Sequence, residues 1–100
     1  MQGSQKQIHC ANEIKSSLLN ALTEENKEFW LNYDKDSGIF SQQEKLVAWR
    51  NFETQLKTID KAKFFIENLS NFAAIANKNP QKAIVTFFES RLAEDLKIFE

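Results

Sequence analysis

Few residues in this chain are of a type that could do chemistry, and none is spaced to act with another. His9 and Cys10 are the single histidine and the single cysteine. Neighbours on a helix point about 100° apart, so these two side chains do not converge. A tetrahedral zinc site needs ligands that the chain does not supply, and a nucleophilic cysteine needs a histidine distant in sequence. An incidental role is expected for both. Asp34, Asp36 and Gly38 place alternate carboxylates ahead of a glycine, as in a calcium loop. Counting from Asp34, however, the twelfth position holds Lys45 where the bidentate glutamate belongs, and the glycine falls one place too early. The expectation is an Asx-type turn. Glu89, Glu94 and Asp95 cluster near the C-terminal end, but general acid–base work needs a cleft that shifts their acidity, and Glu89 and Asp95 are expected to face solvent instead. The chain is therefore read as a non-enzyme, with no catalytic, cofactor-binding or metal-binding residues.

The elements that would have to position any site are helices. Residues 41–76 form the organising stretch, because they contain no Gly or Pro and carry apolar residues at helical spacing. Trp49, Phe52, Leu56, Ile59, Ile66, Leu69, Ala73 and Ala76 recur at intervals of three, four or seven, which stacks them on one side. Ser41 followed three residues later by Glu44 is a capping box. Asn77 to Pro80 close the other end. Such a helix is a rod of roughly 50 Å. A kink is expected near Asn68 to Asn71, where polar side chains compete for backbone hydrogen bonds.

Before it, Ile8, Ala11, Leu18, Leu22 and Phe29 share a stripe that predicts a first helix over about 5–33. Thr23 followed by two acids offers an alternative, a second helix capped at that point. Asn79-Pro80 opens a last helix to about Phe99, since Pro is favoured at a first helical position. Its stripe is Ile84, Phe88, Leu92, Leu96 and Phe99. The predicted fold is all-α: an antiparallel three-helix bundle with helices near 5–33, 41–77 and 80–99, or four helices if the first breaks near Thr23. The chain reads as a single domain, residues 1–100, with Met1 to Ser4 given no structure. The predicted core is Leu18, Leu22, Phe29, Trp49, Phe52, Leu56, Ile59, Ile66, Leu69, Ile84, Phe88 and Leu92.

Composition excludes several classes. Apolar residues make up 42% and charged residues 27%, which is the balance of a globular chain. A net charge of −1 argues against non-specific nucleic-acid binding, which requires neutralising several phosphates. The middle stretch is mildly basic and its flanks acidic, as intramolecular complementarity would produce. No run approaches the length of a membrane span and no apolar leader opens the chain, so a cytoplasmic protein is expected. Abundant Lys, Asn, Ile and Phe fit AT-rich codons, as in some bacteria and their mobile elements.

The aromatics carry the functional expectation. Nine Phe and two Trp are many for 100 residues, and they are spread more widely than a single seam requires. Either the core is broad or some rings serve another chain. The expected partner-binding residues are Leu46, Trp49, Phe52, Phe65 and Phe87, with Trp49 as anchor because Trp is enriched at binding hot spots. The last helix would cover only part of the middle one, so a homodimer or partner complex through the uncovered half is expected. The function expected is a small non-enzymatic protein-binding module: an adaptor, inhibitor or immunity-type protein. Residues 79–99, NPQKAIVTFFESRLAEDLKIF, also resemble the amphipathic helices of granule-coating phasins over about 20 residues. That resemblance implies the rival reading, a coat on lipid or polymer surfaces. A small enzyme whose pocket is invisible in sequence is the third reading.

Overall fold

The computed structural model describes residues 1–33 and 40–100. The described residues are predominantly helical, without strands. The helices are shorter and more numerous than the periodicity predicts, because each long predicted helix is interrupted.

The first helix is two. Helix α1, Gln5–Ala21, gives way to α2, Glu24–Leu31. Thr23 Oγ1 accepts the Asn26 backbone N–H at 3.2 Å, as its N-cap role requires. The joint is buried and satisfied, because the Asn26 side-chain amide donates to the Ala21 carbonyl at 2.8 Å. The alternative break at Thr23 is thus the observed one, and a single helix over 5–33 is corrected.

Met1 to Ser4, expected to be without structure, are also tied down. Ser4 caps α1 in a capping box with Gln7, each side chain bonding the other's backbone N–H at 3.2 and 3.0 Å. Gln2 forms a parallel bridge with Lys61. Its N–H donates to the Asp60 carbonyl at 2.6 Å, and its carbonyl accepts the Ala62 N–H at 2.9 Å.

The organising stretch is interrupted in the middle. Helix α3, Gln42–Thr58, starts at the predicted Ser41–Glu44 capping box. It stops where Ile59 turns extended, at φ −63 and ψ 125. A new rod begins as α4, Ala62–Phe64, widens into a π turn over Phe65–Leu69 and continues as α5, Ser70–Lys78. The π turn lies at the predicted kink, where the Asn68 side chain donates to the Phe64 carbonyl at 3.1 Å. An unbroken rod of roughly 50 Å would not fit a molecule whose longest axis is 42 Å. The break folds one rod into two.

Asn79 Oδ1 accepts the Lys82 N–H at 3.1 Å and Pro80 is the first residue of α6, Pro80–Phe88, as predicted. The predicted helix over 80–99 does not continue. The Ser90 hydroxyl donates to the Phe87 carbonyl at 2.6 Å and caps α7, Arg91–Asp95. Lys97 then takes a positive φ of 56, and the chain swings Ile98 fully into the core. Asn51 on α3 holds this end by donating to the Ile98 carbonyl at 2.6 Å. The three-helix bundle is therefore corrected to a broken-helix fold in which α1 packs along α4, the π turn and α5, while α2 packs on α3 and α6.

The predicted core is right in part. Leu18, Trp49, Phe52, Leu56, Leu69, Ile84 and Phe88 are buried, while Leu22, Phe29, Ile59, Ile66 and Leu92 are half-buried. Each helix break rotates the next segment, so a stripe extrapolated across it drifts off the core.

Candidate functional site

The five expected partner-binding residues do not form one exposed face. Trp49, Phe52, Phe65 and Phe87 are each at most 5% exposed, inside the chain's own core. Leu46 alone among them is half-buried at the surface. The reason is that α6 supplies two adjacent rings to the interior. Phe87 stacks on Phe52 with centroids 4.1 Å apart, and Phe88 stacks on Trp30 at 4.5 Å. Trp49 leans on Phe88 at 6.5 Å. The broad aromatic distribution is thus largely a broad core, and the half of α3 bearing Trp49 is covered by α2 and α6 rather than left open.

Trp30 organises this end of the molecule and was not singled out as core by its stripe. It is fully buried, and its indole Nε1–H donates to the Lys45 carbonyl at 3.0 Å. Lys45 is itself buried. Its ammonium lies 5.0 Å from the Trp30 ring and 5.9 Å from the Tyr33 ring, and it donates to the Tyr33 carbonyl. A cation over aromatic faces and bonded to a carbonyl keeps its charge partly compensated away from water. This cluster ties the C-terminal end of α2 to the first turn of α3. The helical pattern could have revealed it, since Lys45 sits one turn before Trp49 on the same side.

Two of the half-buried rings line a different place. Phe29 and Tyr33, with centroids 5.7 Å apart, join Val85 in lining a groove between α2 and α6. Its volume is about 430 Å³, and Asn79, Gln81, Lys82, Thr86 and Glu89 make its polar rim. Phe29, Tyr33 and Val85 are half-buried while Lys82 and Glu89 are exposed at opposite ends of α6. The groove can accept an apolar side chain and offers both signs of charge at its edge.

A second groove of about 480 Å³ lies between α1 and the end of α5, lined by His9, Asn12, Glu13, Ser16, Ser17 and Asn77. Its lining residues are all of polar type. His9 Nε2 is 3.1 Å from Glu13 Oε1, an exposed contact one helical turn apart. Cys10 is exposed and free. Among the described residues no three His, Cys, Asp or Glu side chains gather to hold a metal ion. Asp34, Asp36 and Gly38, the calcium-like spacing, lie outside the described residues. Glu89 and Asp95 are exposed, as expected, and so is Glu94. Among the described residues no helix is long and apolar enough to cross a membrane.

No family model, curated protein or solved structure matches this chain.

Proposed function

We propose that this chain is a non-enzymatic helical protein-binding module, and that the groove between α2 and α6 is where its partner inserts. The observation that supports this reading is the placement of Phe29, Tyr33 and Val85, which come together in an open groove whose other lining residues are polar or charged. Interfaces of this kind combine an apolar, often aromatic centre with charged edges that fix register. Trp49 is committed to the core, so Phe29 and Tyr33 take its place as anchors in this reading. An adaptor, inhibitor or immunity-type role requires nothing more than such a surface. An exposed free thiol at Cys10 fits a reducing compartment, the cytoplasm.

Affinity capture from the native host, followed by mass spectrometry, tests this with the parent chain and two variants as baits. The parent chain should enrich a protein that Phe29→Ala and Val85→Lys lose by at least about tenfold, the effect of removing one packed hot-spot side chain. A partner retained equally by both folded variants would remove the groove from the interface. The coat reading needs α6 to turn Ile84, Phe87 and Phe88 from the core toward a surface. It predicts a shift of tryptophan fluorescence on adding anionic liposomes or polymer granules, because Trp30 and Trp49 pack against Phe88. An unchanged spectrum is the expected result here.

A further inference from the structure

The interruption at Ile59 to Lys61 has an unusual cause. The residues from Ser41 to Asn79 contain no Gly or Pro. Lys61, the cap of the following helix, provides no side-chain hydrogen bond to it. The helical alternative would send the Ala62 N–H to the carbonyl four residues back. Here Gln2 takes that donor instead, and gives its own N–H to the Asp60 carbonyl. The break is therefore held by a bridge from the far end of the chain and is not written locally as a turn.

The break also divides the molecule into two halves that complete each other. Helices α1 to α3 precede it, and α4 to α7 follow it. The seams of α1 against α5 and of α2 against α6 both cross it. A second copy could supply either half with the same side chains.

We propose that Ile59 to Lys61 is an exchange hinge, and that the chain forms a dimer with a second copy in which residues 42–78 run as one continuous helix. In that dimer each first half packs on the other copy's second half through the seams already present in the monomer, so the two forms differ mainly at the hinge. Straightening replaces the Gln2 bridge by helical hydrogen bonds and suits a rod of roughly 55 Å, which two copies side by side can hold. The Gln2 bridge and the entropy lost on association oppose it. This proposal stands apart from the α2–α6 groove, which is rebuilt unchanged by exchange.

Sedimentation velocity over a wide concentration range, with far-ultraviolet circular dichroism, provides the test. Gln2→Pro removes the N–H that holds Asp60, and should dimerise roughly tenfold more tightly than the parent with a gain in helix signal, because both hinges of the dimer are released. Asp60→Ala keeps the Gln2 backbone bonds, removes the 3.2 Å ion pair of the Asp60 carboxylate with the Met1 amino group and favours the helix, so it should tighten the dimer several-fold even if Gln2→Pro does not fold. Asp60→Pro added to Gln2→Pro should return the chain to monomer, since proline cannot sit inside the continuous helix but tolerates the extended Ile59 before it. Exchange itself is read with Ser17→Cys and Asn77→Cys on a Cys10→Ser background, joined by a short bismaleimide. These positions line one groove, so an exchanged dimer yields covalent dimers and a monomer yields closed single chains. Folded Gln2→Pro and Asp60→Ala variants that associate no better than the parent would overturn the hinge. So would a dimer that cross-links only within single chains, or one that Asp60→Pro leaves intact.

Discussion

The two ends of the core are built from different materials. Where α2, α3 and α6 meet, Trp30, Trp49, Phe52, Phe87 and Phe88 fill the interior with rings. Where α1 lies along α5, the buried residues are Ala11, Ile14, Leu18 and Ala21 on one helix and Ala73 and Ala76 on the other. Small side chains allow close helix approach but leave each residue little area to bury. Rings bury ~150–250 Å² each and gain from stacked or edge-on contact, which holds helices at a distance that only a ring can fill. The aromatic end is thus sensitive to losing volume, and the alanine end to gaining it.

Several substitutions would break or sharpen that contrast. Phe88→Ala has the largest expected effect, because Phe88 touches Trp30, Trp49, Phe52 and Phe99. Urea titration should show a loss of ~3–5 kcal/mol, the range for deleting a buried ring. A loss below about 1 kcal/mol would mean that the rings repack freely. At the other end, Ala11→Leu adds volume at a fully buried position, and should destabilise by about 1–3 kcal/mol through overpacking. If Ala11→Leu is neutral or stabilising, the α1–α5 seam is not closely packed and the comparison fails there.

Trp30→Phe separates ring volume from the indole hydrogen bond to Lys45. It should lower stability by about 1–2 kcal/mol, combining a lost hydrogen bond with a smaller ring. A melt indistinguishable from the parent would show that the Lys45 carbonyl is served well enough without it. The smallest effect is expected from Ser41→Ala, which deletes the cap at the start of α3 and should cost about 1 kcal/mol. For a domain of this size, ~1 kcal/mol corresponds to a shift of about 4–8 °C in Tm. A shift much larger than that would place Ser41 in an interaction beyond the capping box.

The candidate groove was much less legible than the helices around it. The stripe of the first predicted helix places Phe29 inside. The break at Leu22 and Thr23 rotates α2 relative to α1, so Phe29 faces the groove and Trp30 takes the core. Val85 lies off the Ile84 and Phe88 stripe, and only the arrival of α2 beside α6 makes it part of a groove. Conversely, Phe65 and Phe87 looked surplus in a one-seam picture. They became core because the folded-back rod gives the molecule more than one seam.

What the sequence determined by itself is local: the capping box at Ser41 and Glu44, the Thr23 and Asn79-Pro80 caps, the helical class and the kink near Asn68. Each depends on hydrogen bonds spanning a few residues, so the residues that make it stand together in the chain. Tertiary structure alone decided the break at Ile59 to Lys61, the inward turn of Ile98 and the identity of the exposed rings. The first is satisfied by Gln2 and the second is held by Asn51. Helical periodicity records which side of a segment is apolar, but not where a hydrogen-bond partner from a distant segment will make stopping the helix cheaper than continuing it.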